Sequence, residues 1–288
     1  MHPHLFSARR AFAAALVAAL AGCAANAPTM GGPLPGRAIT QIVTAPDRTA
    51  ADRSNDLRRK PEQMLAFIGV RPGMKALDVS TGGGYTTELL ARAIGPDGMV
   101  WAQARPRDPD AAKPAAPEGA AGIPAELRPV VPARPRGSAD AIAERVAHLA
   151  QAHVAAAPIV FVQQRFEDPV PAEMADAKLD LVTLMFNYHD FGFMGVDRAA
   201  LNRAVFRALK PGGLYVVADH AGRAGTGITE SGTLHRVEEA LVRAEAEAAG
   251  FRLADEGQFL RNPADPRDQN TPNPPQPKDE FVLKFVKP

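Results

Sequence analysis

The run A-L-D-V-S-T-G-G-G-Y-T-T-E-L-L-A-R-A-I, residues 76–94, decides the fold of this chain. Ala76, Leu77, Asp78 and Val79 form a short apolar run with one acid, which suits a buried parallel strand. From Thr86 onward, Leu89, Leu90, Ala93 and Ile94 recur at helical spacing, so strand, glycine turn and helix open a βαβ unit. The glycines let the backbone turn tightly and keep Cβ atoms out of the way of a ligand at the helix N-terminus. A sharp loop with no ligand would need the same residues. A dinucleotide turn, G-x-G-x-x-G/A, ends in a small residue for close packing, whereas Gly82 and Gly84 are followed by Thr87, which argues against a nicotinamide or flavin ligand.

Outward from this unit, strand and helix patterns alternate, which predicts an α/β fold with a mostly parallel sheet. Upstream, residues 58–70 read as a helix with Pro61 near its start. Downstream, strands are expected at 99–102, 158–166, 178–186 and 214–218, and closing strands at 251–253 and 281–286. Ser138 is expected to cap a helix carrying Ile142, Val146, Leu149 and His153 along one side. Asp197 is expected to cap another over 197–209, and a last long helix should run over 230–249 with Leu234, Val237, Leu241 and Ala244 inward. Residues 105–137, rich in Pro and Ala, read as an inserted surface loop, and the proline-rich stretch 262–280 as a long loop beside the site.

Asp78, followed four and six positions later by Gly82 and Gly84, resembles motif I of the class I S-adenosylmethionine (SAM) dependent methyltransferases. That family carries three glycines at alternate positions; Ser80 stands at the first of them here. The run A-L-K-P-G-G-L-Y-V-V at 208–217 resembles another segment of the family. R-K-P-E-Q-M-L-A-F, N-Y-H-D, L-H-R-V-E-E-A and L-R-N-P-A-D further resemble a group of exported bacterial methyltransferases without an established substrate. The resemblance runs from Arg58 to the end, with the Pro/Ala insertion excepted. It implies a three-layer Rossmann-like fold whose mostly parallel seven-stranded sheet has an antiparallel last strand. SAM is the implied cofactor, with its carboxylate near Ser80, Gly82, Gly83 and Gly84 and its ammonium near Asp78. Gln103 stands where the family usually has an acid for the ribose, Phe166 and Glu167 stand near the adenine position, and Asn187 follows the fourth strand.

The remaining residues bear on place and partners. With 33 basic and 32 acidic residues the net charge is +1, so nothing points to a nucleic-acid partner. Arg9 and Arg10 precede an apolar run, 11–21, too short to span a bilayer, which reads as an export signal over 1–22. Leu20-Ala21-Gly22-Cys23 resembles a bacterial lipobox, so Cys23 is expected to carry lipid and residues 23–53 to tether the domain of 54–288. A periplasmic, membrane-anchored lipoprotein follows from that reading. Arg9-Arg10-Ala11-Phe12 also resembles a twin-arginine signal. As the only cysteine, Cys23 leaves no internal disulfide.

Methyl transfer needs an aligned acceptor, exclusion of water and, for a hydroxyl or protonated amine, removal of a proton. His189, just beyond the fourth strand, is the expected base, since an imidazole can accept a proton near neutral pH. His189-Asp190 also resembles the His-Asp pair of plant-type small-molecule O-methyltransferases, where that histidine is the base. Asp219 and His220, at the end of the fifth strand, are expected to face the same crevice and orient His189 or a small-molecule acceptor. No chelating spacing is present, so no metal is expected, although His189, Asp190, Asp219 and His220 leave a metal-assisted hydrolase open. His235, in the last helix with Arg236 and Glu238, is within reach of the acceptor side, with a solvated helical face as its default place. A non-catalytic ligand-binding lipoprotein also stays open, because Ser80 and Gln103 depart from the family and SAM is made in the cytoplasm.

Overall fold

The computed structural model describes Met1 and residues 31–106, 137–270 and 277–288. The export signal, Cys23 and nearly all of the 105–137 insertion lie outside the described residues. Seven strands form one sheet: β1 (Lys75–Val79), β2 (Met99–Ala104), β3 (Ile159–Gln163), β4 (Leu179–Met185), β5 (Leu209–His220), β6 (Arg252–Gly257) and β7 (Glu280–Val286). Their order is β3-β2-β1-β4-β5-β7-β6, with β7 antiparallel to both of its neighbours. Strands β1 to β5 are parallel, so their carboxyl ends share one edge, where an open α/β sheet has its crevice. This is the three-layer α/β architecture the resemblance implies.

Alternate residues of the central strands feed two cores. Leu77, Val79, Val182, Leu184, Tyr215 and Val217 pack with α6 (Tyr188–Phe193), α7 (Arg198–Ala208) and α8 (Glu239–Ala248). Ala76, Val100, Leu181, Val216 and Ala218 pack with α1 (Gly36–Val43), α3 (Pro61–Ile68) and α4 (Tyr85–Ile94). Side chains alternate across a strand, so each face of the sheet needs its own helical layer.

Four expectations are corrected. Within the expected tether, α1 buries Ile39 and Val43 against Leu65, Ile68 and Leu90, because residues four apart make one apolar helical face. The helix expected over 58–70 is two helices, α2 (Ala50–Arg59) and α3, broken at Lys60, whose φ is 44°. Pro61 bars helical geometry at the residue before it and opens α3 as its first residue. The helix α5 (Ser138–Gln151) is preceded by Gly137 without a side-chain cap; Ile142 and Leu149 are buried, Val146 is exposed and His153 lies beyond its end. Finally, α8 begins at Glu239, not at 230, and turns Val242 and Ala246 inward while Ala244 faces solvent. The reason is Arg236: its fully buried guanidinium bonds the Ala221 carbonyl at 3.0 Å and pairs with Asp265 at 2.9 Å, so residues 222–238 wrap around it in turns.

Candidate active site

At the carboxyl end of β1 the glycine turn forms the floor of a cavity of about 210 Å³ bounded by Asp78, Ser80, Gly82, Gly83, Met185 and Asn187, with Asn55 and Arg59 above. Gly82 has φ 55°, which favours glycine, and a Cβ on Gly83 would meet nothing, so that backbone faces open space. At Gly84 a Cβ would stand 2.6 Å from Ile142 Cδ1 of α5, so this glycine serves helix packing. Ser80 adopts φ 58° and lines the cavity in the place of the family's first glycine.

Asp78 is 2% exposed. Its oxygens accept from Thr87 Oγ1 at 2.6 Å and Thr183 Oγ1 at 2.8 Å. Burial raises its pKa against the opposing pull of those hydroxyls. Gln103, expected at the ribose, is fully buried: Oε1 accepts from Ser80 N at 2.9 Å and Nε2 donates to Gln164 O at 2.6 Å. An amide can make both bonds where a carboxylate can only accept, and this one holds the glycine turn to the end of β3. Phe166 packs in the core against Phe191, ring centres 4.6 Å apart, and neither it nor Glu167 is among the residues bounding the cavity.

Sequence reasoning missed Arg59. It is the last residue of α2, and its guanidinium stacks 4.3 Å from the Phe186 ring centre. Its buried Nε has no hydrogen-bond partner among the described residues. Burial, with Arg58 beside it, lowers its pKa to about 10, so it stays charged at neutral pH. The helix that carries it is fastened by charge: Asp52 to Arg145 at 2.8 Å, Asp56 to Arg48 at 2.6 Å and Arg58 to Glu280 at 2.7 Å. Asp52 is its only buried residue.

The second part lies at the carboxyl ends of β4 and β5. His189 is 4% exposed and Asp219 fully buried. Asp219 accepts the His189 backbone N–H at 2.8 Å and meets its Nδ1 at 2.6 Å, so the expected orienting contact is present. His189 Nε2 lies 3.1 Å from Asp190 Oδ1. Burial alone would lower the His189 pKa, but Asp219 and Asp190 outweigh it and raise it to about 9. The imidazole expected to accept a proton near neutral pH is therefore already charged, a correction that follows from carboxylates at both ring nitrogens. Asp190 is held low in turn: burial pushes it up, and His189 with His235 more than offsets this. Asn187 Nδ2 donates to Asp190 Oδ2 at 3.0 Å and so links the two parts.

His235, expected on a helix, sits in the 222–238 turns at φ 51°, with Nδ1 3.4 Å from Asp190 Oδ1. His220 stacks 5.3 Å from His189, and its pKa falls through burial. Its Nδ1 lies 3.0 Å from Glu280 Oε1 yet is misaligned for a hydrogen bond. No spacing in the sequence announced His235; only the folding of 222–238 around Arg236 brings it here.

Residues 60–106, from the start of α3 through β2, match the family model described as protein-L-isoaspartate(D-aspartate) O-methyltransferase. Among solved structures, a SAM-dependent methyltransferase from Aquifex aeolicus is 16% identical, covers 88% of this chain and all (100%) of its own, and aligns with a TM-score of 0.52. A chain in the complex of the Haloferax volcanii Trm112 methyltransferase activator with a protein assigned as a methyltransferase is 18% identical over 83% of this chain and 93% of its own, TM-score 0.51. No curated protein matches the chain in sequence. At these identities the likeness is one of fold: the chain has the fold of the class I SAM-dependent methyltransferases.

Proposed function

We propose that the chain is a SAM-dependent methyltransferase acting on a small molecule, exported and held by lipid on Cys23 at the periplasmic side of a membrane. The observation that carries the activity is the cavity at the glycine turn, where the open backbone face of Gly82 and Gly83 meets buried Asp78 and the unpartnered Nε of Arg59. These groups suit a zwitterionic amino-acid moiety. Arg59 and the turn amides would hold its carboxylate, and Asp78, whose oxygens have lone pairs to spare, its ammonium. Bound SAM supplies an electrophilic methyl group.

The chain's own residues then exclude water and place the acceptor in the crevice leading from Asn187 to His189, Asp190, Asp219 and His220. In the metal-free chain His189 would hold the acceptor as a charged donor, and would act as a base only after losing a proton, so a turnover that depends on it would rise with pH to a plateau above about 9. The near-zero net charge offers nothing to a nucleic acid. The export reading rests on residues 9–23; among the described residues no helix is long and apolar enough to cross a membrane.

The engagement of Gln103 with two backbone groups favours a second reading, a ligand-binding lipoprotein that keeps the fold without turnover. Calorimetric titration of SAM into the ligand-stripped chain separates the cases. Micromolar affinity, about −8 kcal/mol, weakened at least tenfold by Arg59→Met, supports cofactor binding, and methyl transfer to an acceptor would then decide for the enzyme. No heat at millimolar SAM would overturn it.

A further inference from the structure

The geometry points to a divalent transition-metal site formed by His189 Nε2, Asp190 Oδ1 and His235 Nδ1 beside the cofactor cavity. The three residues each offer one donor atom within 4.8 Å of the other two. A tetrahedral ion with bonds of about 2.0–2.1 Å sets its ligands about 3.3 Å apart. Asp190 Oδ1 stands 3.1 Å from His189 Nε2 and 3.4 Å from His235 Nδ1, bracketing that spacing. The third edge would close by a rotation of the His235 ring, whose side chain is 43% exposed. Two imidazoles and a carboxylate match zinc and its neighbours in the first transition row, and do not suit magnesium or calcium, which want oxygen.

The surroundings make this more than a chance meeting of polar groups. A ligating histidine usually gives its other ring N–H to a carboxylate, which fixes the tautomer and aims the free nitrogen. Asp219 stands in that place, fully buried and 2.6 Å from His189 Nδ1. The carboxylate ligand is steadied as well: Asn187 Nδ2 holds Asp190 Oδ2, leaving Oδ1 for the ion. His189 and Asp190 sit at the start of α6, while His235 comes from a separate segment at φ 51°, a conformation a non-glycine residue rarely takes. The His189 and His235 rings meet edge to face with centres 5.6 Å apart. With only three protein donors and with Asp190 and His235 partly open, the remaining coordination positions face solvent, as in reactive rather than structural zinc sites.

The test uses the full chain, dialysed against a chelator, with no SAM present, so that it stands or falls apart from cofactor binding. Zinc is titrated calorimetrically into the unaltered chain, His235→Ala, Asp190→Asn and, as a control at a histidine far from the cluster, His148→Ala. Cobalt(II) then serves as a coloured substitute whose visible bands report nitrogen ligation. One equivalent of zinc is expected in the unaltered chain and in His148→Ala, with at least a hundredfold weaker binding in His235→Ala. Cobalt bands present in the unaltered chain should be lost in that variant. His235 is half-exposed, so an unchanged urea midpoint in His235→Ala shows that the loss is not unfolding; should that variant unfold, Asp190→Asn is read in the same way. No saturable binding, or binding that both cluster variants keep, would overturn the site.

Discussion

Two buried aspartates end two parallel strands of the same sheet, and their surroundings treat them in opposite ways. Asp78 at the end of β1 is answered by hydroxyls, Thr87 and Thr183, and burial raises its pKa. Asp219 at the end of β5 is answered by the His189 ring and by the backbone N–H groups of His189 and His220. Residue type, burial and place on the sheet are nearly the same; the partner's charge differs. A carboxylate hydrogen-bonded by neutral hydroxyls keeps lone pairs for an incoming cation, whereas one already paired with a cation acts on the group it is paired with. The β1 end is thus laid out for a charged ligand, and the β5 end for aiming a side chain.

The comparison breaks most visibly at Asp219. Asp219→Ala leaves a charged His189 and two buried N–H groups without their acceptor, and should lower unfolding free energy by about 3–5 kcal/mol in urea titration. Asp219→Asn should lose less, and should also narrow the pH response of His189, leaving only the part that Asp190 sustains.

That response follows from His189, measured in the metal-free chain. Its folded pKa of about 9 lies above the ordinary 6.5, so the bound proton stabilises the fold. The contribution is complete below 6.5 and is lost as pH rises through about 9, about 3 kcal/mol in all. Asp78 has the same sign: as an acid with a raised folded pKa it binds its proton more tightly when folded, so stability also falls as pH rises from its ordinary 3.8 upward. Urea midpoints should therefore decline as pH rises, and His189→Gln should remove the part of that decline that lies between 6.5 and about 9.

The smallest effect is expected at the hydroxyl side. Thr183→Val keeps the shape and removes one donor to Asp78, costing about 1.5 kcal/mol. A loss as large as that of Asp219→Ala would mean that the neutral hydroxyls carry as much as the charged partner does, and that the contrast between the two ends is false.

The parts legible in the sequence are those written in local patterns. Strand, glycine turn and helix over 76–94 need only apolar spacing and turn chemistry, and the parallel order follows from their alternation. Asp78 and Asp219 were legible as strand-end residues at the crevice edge, because the apolar runs before them mark where the strands stop. The β5 and β7 pairing, which sets His220 opposite Glu280, was not, because nothing local records a partner sixty residues away. Residues 230–238 misled for a related reason. Their spacing suits a helix, but a buried Arg236 needs the Ala221 carbonyl and Asp265, and meeting that need unwinds the segment and delivers His235 to Asp190. Gln103 was placed correctly and its use misjudged, since its partners, Ser80 N–H and the Gln164 carbonyl, are backbone groups that carry no residue signature.

One consequence concerns how anything enters the cavity above the glycine turn. The helix over it, α2, buries a single whole residue and is tied down by ion pairs to α5, β7 and the turn before it and by a hydrogen bond donated by the Tyr85 hydroxyl of α4, so little apolar transfer energy opposes its opening. One partner of each pair is nearly buried, so salt screens these ties less than it screens exposed ones. Amide protons of α2 should still exchange with solvent sooner than those of α4, so the mouth of the cavity would open by release of a charged strap while the apolar cores stay closed.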